Sequence, residues 1–260
     1  MEAMFENASS FNQSLNHFTT NNVENMSNMF YGALVFNSSI SNWNTSNVRT
    51  MESMFAYAEK FNQPLDNFNT SNVITMESMF DEALEFNQPI NFDTSNVITM
   101  EAMFAYAKKF NKPINFTDTS NVTNMGHMFT SAVLFNQRLN FDTSNVTNMK
   151  SMLANAKAFD KEQDLQNWVT DKVEKGKMKY MFVNTALINL PFWYNEDEQE
   201  QDEQDEIDEQ DAQDEDSEDE QDEQDAQDED SEDEDSEDEQ DEQDEESEDE
   251  DTEDEQDENN

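Results

Sequence analysis

Three residue patterns run through this chain on one shared period, and that period constrains the fold more than any other feature. The valine of a Ser-Asn-Val element, Asn-Asn-Val in its first occurrence, recurs at Val23, Val48, Val73, Val97, Val122 and Val146, with spacings of 25, 25, 24, 25 and 24. A Met-Phe pair recurs at Met4-Phe5, Met29-Phe30, Met54-Phe55, Met79-Phe80, Met103-Phe104 and Met128-Phe129, then as Met152-Leu153. A third register places Phe11, Phe36, Phe61, Phe86, Phe110, Phe135 and Phe159 ahead of Asn or Asp. The chain is therefore about seven copies of one 24–25-residue unit. A unit this short cannot bury its apolar face alone, so neighbours must stack, laying Met on Met, Phe on Phe and Asn on Asn.

Within one unit, Val73, Met76, Met79, Phe80, Ala83 and Phe86 fall at offsets 0, 3, 6, 7, 10 and 13, which predicts one face of a helix or helix-like turn. Glu77, Asp81, Glu82 and Glu85 are then expected to point outward. Thr70-Ser71-Asn72 supplies capping and turn chemistry at the entrance. After the turn comes Asn87-Gln88-Pro89-Ile90, and the alternation of Ile90 and Phe92 with polar neighbours predicts a short half-buried strand. The expected fold class is thus an α/β repeat solenoid, with one short strand and one helical turn per repeat. The Met and Phe stripes read as core packing, with Met as the adaptable filler.

Three regions are expected: repeats over 1–169, a degenerate last repeat with a hydrophobic cap over 170–195, and an acidic tail over 196–260. The first copy starts at Met1, which aligns with Met26, and so lacks the valine entrance; an uncapped N-terminal repeat points to homo-association, to truncation or to a missing upstream exon or domain. At the other end Val173, Met178, Met181 and Phe182 echo the unit with a stretched spacing, and Leu187–Tyr194 supplies an apolar plug.

Charge divides the chain sharply. Of 63 acidic residues, 44 lie in 196–260, where there is no Lys or Arg, leaving 63 − 44 = 19 acids against all 13 bases in 1–195. With Ile207 as its one large apolar side chain, the tail cannot offset the entropy lost on folding and is predicted to be disordered. It reads first as a solvated, self-repelling solubiliser. Binding of basic proteins, or weak Ca²⁺ or Mg²⁺ binding by clustered carboxylates, are the alternatives; it lacks the Gly-turned loop of a high-affinity calcium site. Ser217, Ser231, Ser236 and Ser247 precede acidic runs of the kind acidophilic kinases favour, which makes them candidate phosphoacceptors. Lys150, Lys157, Lys161, Lys172, Lys175, Lys177 and Lys179 cluster ahead of the tail, whose charge outweighs theirs, so no direct nucleic-acid binding is expected.

Catalytic and cofactor chemistry finds no constellation. There is no cysteine, His17 and His127 occupy different repeat positions and are expected to face solvent, and Gly32, Gly126 and Gly176 are isolated. No enzyme activity, cofactor or metal is expected. The N-terminus carries no basic and apolar leader and the chain has no lipid-anchor cysteine, so it reads as soluble as written; no 20-residue apolar span is present.

The string TSNVTNMGHMFTSAVLFNQRL, Thr119–Leu139, resembles the BspA-like leucine-rich-repeat group. The likeness is to its Asn/Met/Phe-rich variant, found in mycoplasma surface lipoproteins and large DNA virus proteins, and it covers residues 1–182. It implies a leucine-rich-repeat-like solenoid that contacts protein partners in a surface, virion or host-contact role, and no catalytic residues. Positions that vary between copies, such as Tyr57, Tyr106, Lys108 and Lys109, are the expected contact points. The alternative is an acidic scaffold or chaperone-like protein whose tail binds basic partners.

Overall fold

Each backbone amide in a stacked repeat has two uses, to close a local turn or to reach the neighbouring repeat, and this chain alternates between them. The computed structural model describes residues 1–195, which fall within one unit, Met1–Asp208. In the copy over 73–86, the amides of Met79, Asp81, Ala83 and Phe86 bond carbonyls three residues back, on Met76, Ser78, Phe80 and Ala83. The amides between them reach one repeat ahead: Met76 to Thr99 at 3.1 Å, Ser78 to Glu101 at 2.8 Å, Phe80 to Met103 at 2.9 Å and Glu82 to Ala105 at 2.9 Å.

Where the apolar spacing predicts a helical turn, the backbone is therefore a run of linked turns. Ser78 and Glu82 sit at φ 52° and 53°, at the third position of turns closed by an i→i+3 bond, as a type II turn requires. The same two positions are left-handed in every regular copy, from Ala3 and Asn7 to Ser151 and Asn155. An α-helix would keep all its amides to itself; linked turns release alternate amides to hold the stack. Steps of three and four residues still return Met76, Met79, Phe80, Ala83 and Phe86 to the interior, all fully buried.

The one α-helix among the described residues is α1, Glu162–Leu165, in the stretched connection between Phe159 and Trp168. Parallel bridges link Asn25, Thr50, Thr75, Thr99, Asn124 and Asn148 in succession, each to the same position one repeat on. The expected strand at Ile90 and Phe92 is a single parallel bridge, Ile90 to Ile114.

Two phenylalanine columns fill the interior. Phe30, Phe55, Phe80, Phe104 and Phe129 stack with ring centroids 5.4–5.7 Å apart from repeat to repeat. Within each repeat a second ring, such as Phe86 on Phe80, lies 3.9–4.2 Å away. Aromatic ring pairs add about 0.5–1.5 kcal/mol each beyond the area they bury.

Polar side chains make their own ladders beside this core. The buried Thr45 hydroxyl donates to the Asn69 carbonyl at 2.9 Å and accepts from the Asn69 amide at 2.8 Å. Thr20 and Thr119 make the same pair of hydrogen bonds, to Asn44 and Asp142 one repeat ahead. The amide side chains of Asn12, Asn37, Asn62, Asn87 and Asn111 each accept the backbone N–H of the Asn one repeat on. The Ser of the Thr-Ser-Asn entrance is held by the residue before the Thr, as in Asn69 Oδ1 to the Ser71 amide at 3.1 Å. That is turn chemistry, with no helix behind it.

The irregular last copy continues the pattern: the amides of Met149, Ser151 and Leu153 bond the carbonyls of Lys177, Lys179 and Met181. Leu187, Leu190, Trp193 and Tyr194 pack against this end, and Trp193 Nε1 donates to the Leu165 carbonyl at 2.9 Å. At the opposite end Phe5, Phe11, Phe18 and Val23 are only half-buried. Among the described residues no helix is long and apolar enough to cross a membrane.

Candidate functional site

Inward columns are committed to stacking, so any recognition chemistry must come from the outward ones. The richest lies just after the Met-Phe pairs of three successive repeats: Ala56-Tyr57, Asp81-Glu82 and Ala105-Tyr106. Tyr57, Glu82 and Tyr106 occupy a left-handed position, at φ 59°, 53° and 54°, which other copies fill with Asn7, Gly32, Ser131 or Asn155. Asn and Gly tolerate this region, whereas a bulky side chain is disfavoured there.

Asp81, expected to point outward with its neighbours, is half-buried, and its Oδ1 is buried without a hydrogen-bond partner. Burial, and then the charge of Glu82, push its carboxyl up to about 6, partly offset by a hydrogen bond from the Glu82 backbone. No single-repeat pattern reveals this. The signal is the comparison across copies, because Ala56 and Ala105 stand at the same position on either side.

Tyr57 lies beside Tyr31, with ring centroids 5.2 Å apart. The Tyr57 hydroxyl is held above its ordinary value by the charge of Asp81 first, then by burial, Glu82, Tyr31 and Tyr106, which places all of them within electrostatic reach. Glu77 is also raised, by burial and then by Glu101 and Glu52, its counterparts in the adjoining repeats. This face is electronegative.

Along the adjoining edge Lys109 hydrogen-bonds Glu85, and Lys60 lies 3.9 Å from the same carboxylate. Lys108 is exposed. Of the expected contact points, Tyr57 and Tyr106 therefore belong to the carboxylate cluster, while Lys109 belongs to a separate surface ion pair. On another face Ile74 and Ile98, 43% and 44% exposed, line a shallow cavity with Arg49, Asn72 and Asn96.

His17 is exposed, but His127 is half-buried, contrary to the expectation that both face solvent; burial holds its pKa low. It too stands at a left-handed position, φ 57°, which tucks the ring against the turn, where Thr130 Oγ1 lies 3.5 Å from Nδ1. The seven-lysine cluster is not one surface patch either. Lys179 is only 1% exposed, and Lys161 and Lys172 are engaged with Asp160 and Asn145. Ser217, Ser231, Ser236 and Ser247 lie outside the described residues. No group of three or more His, Asp or Glu arranged to hold a metal occurs among the described residues.

No curated protein and no solved structure matches the chain. A family model described as "Mycoplasma protein of unknown function, DUF285" matches twice, over residues 1–115 and 90–194. Those two overlapping spans run through the repeats just described, and the chain belongs to the DUF285 family.

Proposed function

We propose that this is a non-enzymatic repeat protein, a BspA-like, leucine-rich-repeat-like α/β solenoid whose outward columns bind a protein partner in a surface, virion or host-contact role. The observation that carries this reading is the contrast between columns. The five copies from Met29-Phe30 to Met128-Phe129 present the same Met and Phe to the interior, while the outward position two residues beyond the Met-Phe pair runs Gly32, Tyr57, Glu82, Tyr106 and Ser131. Residues that a stack requires recur; residues that meet something else differ.

A second reading makes the tail the working part. The 44 acidic residues of 196–260 are a counter-charge for basic proteins, and a weak, unselective one for divalent cations. The half-buried Phe5, Phe11, Phe18 and Val23 at one end of the stack support a further proposal, association with a second copy through that end.

The test is capture of partners from extract by the full chain and by a chain ending at Asn195, each at low and high salt. A salt-resistant partner held by both supports recognition by the repeats. Basic partners held only by the full chain and released by salt make the tail the functional element.

A further inference from the structure

We infer that copies of this chain stack head to tail, the last repeat of one molecule on the first repeat of the next. The inference rests on the reading that the half-buried first repeat associates with a second copy, and it names the surface of that copy which fits.

The stack has a direction. Alternate amides of each repeat donate to carbonyls of the repeat ahead, as Asn28 to Glu52, Phe30 to Met54 and Gly32 to Ala56, all at 2.9 Å. The carbonyls at the same positions of the first repeat are those of Glu2, Met4 and Glu6, and no described residue donates to them. At the other end Leu153 and Asn155 donate to Met181 and Val183, so the next amides in register are those of Phe182 and Asn184. Asn155 and Asn184 share the left-handed conformation, at φ 59° and 58°, which fixes that register. Neither Phe182 nor Asn184 donates its amide to a described residue. One end therefore offers acceptors and the other donors: Phe182 meets Met4 of the next molecule, and Asn184 meets its Glu6. Open backbone rows of this kind are templates for a further chain.

The apolar columns agree on the same register. Phe5 begins the column that runs through Phe30, at 5.5 Å, and that reaches Phe182 after Leu153. Phe18 begins another, which ends Phe141, Trp168 and Trp193 with centroids 6.2 and 6.3 Å apart. Met4 is 50% exposed, whereas Met29 and Met54 at its position are fully buried. In the last repeat Ile188 and Phe192 are 92% and 83% exposed, more than any other large apolar side chain described. A stack that stands alone needs end copies with a polar outer face. Here both ends present members of the inward columns.

The backbone selects unlike ends. Two first repeats face to face set carbonyl against carbonyl and bury acceptors without donors, which is costly. Unlike ends make a heterologous contact, which lengthens into a chain of molecules where like ends stop at two. Each molecule added carries 44 acidic residues in 196–260; their repulsion opposes growth, and salt screens it.

The experiment is sedimentation velocity on the full chain, across concentrations at low and high salt, with two charge substitutions. Met4→Asp blocks the first repeat and Val183→Asp the last, where another copy already carries Asp81 at the same position. The parent should form species beyond two copies that grow with concentration and with salt. Each variant alone should associate more than about tenfold more weakly, the cost of burying an unpaired charge. An equimolar mixture of the two should form a dimer and nothing larger. In that mixture the Val183→Asp chain still has an open first repeat and the Met4→Asp chain an open last one, and the dimer shows that both are folded.

A parent that stays monomeric at every concentration and salt overturns the inference, together with association through the first repeat. A parent dimer lost in Met4→Asp but unchanged in Val183→Asp overturns the stacking of unlike ends and leaves the pairing of two first repeats standing. Variants that assemble like the parent, or a mixture that forms no dimer, overturn the stacking as well.

Discussion

The inward phenylalanine column and the outward column two residues further on follow opposite rules. Phe30, Phe55, Phe80, Phe104 and Phe129 are one residue type, each ring stacked on its own copies and fully buried. Gly32, Tyr57, Glu82, Tyr106 and Ser131 share a backbone conformation and little else. An inward residue must fit the copies before and after it, so a change in one repeat is felt in three. An outward residue touches water, and only its backbone is committed to the stack. Repetition is therefore a property of the interior, and the exterior is free to carry information.

The largest effect that tests this contrast is a hole in the column. Phe80→Ala removes a ring stacked on Phe55, Phe86 and Phe104 and should cost about 3–5 kcal/mol in urea denaturation. Tyr106→Ala, on the exposed side, should cost a small fraction of that. Equal losses would mean that the two columns are not different in kind. Next in size is the threonine ladder. Thr45→Val conserves shape but strands the amide and carbonyl of Asn69, and should cost about 1–3 kcal/mol by the same measurement.

Asp81→Ala runs the other way, and it sharpens the claim that the outward side tolerates cost. The Asp81 carboxyl titrates at about 6 in the folded chain, from an ordinary value of 3.8, because burial disfavours its charge. A raised carboxyl lends stability below pH 3.8 that is lost as pH rises through about 6, so near neutrality the parent bears the full penalty. Removing the group should stabilise the protein by about 1 kcal/mol at neutral pH, after discounting for its partial exposure, with the gain fading as pH falls through that window. A pH-independent gain would mean that packing, not charge, is responsible.

The stack was legible from the sequence because its signal is compositional and periodic. Val73, Met76, Met79, Phe80, Ala83 and Phe86 were expected inside and are fully buried. Their conformation was not, because steps of three and four residues suit a helix and linked turns alike. The cue that separates them is indirect: Asn28 and Gly32, or Asn7 and Asn155, at positions that turn out left-handed, while Ser78, Glu82 and Tyr106 at those positions conceal it. Tyr57 and Tyr106 were legible as variable positions. Asp81 was not, since a helical face drawn on one repeat places it outward with Glu77, Glu82 and Glu85, whereas the stack leaves it half-buried with Oδ1 enclosed.

The smallest effect concerns the ion pairs along the outer edge. Lys109 hydrogen-bonds Glu85, and Lys60 stands 3.9 Å from it, yet both lysines are more than half exposed, at 56% and 58% of the side chain. The carboxyl of Glu85 is lowered by its hydrogen bond to Lys109 more than by any other influence. Ordering two long side chains in water offsets most of what the attraction returns, and salt screens the remainder. Lys109→Ala should leave the melting temperature unchanged within error at physiological salt, and any shift seen at low salt should vanish as salt is added. A salt-resistant loss would make this edge part of the structural half of the molecule. The division would then fall not between inside and outside but between side chains that reach the next repeat and those that do not.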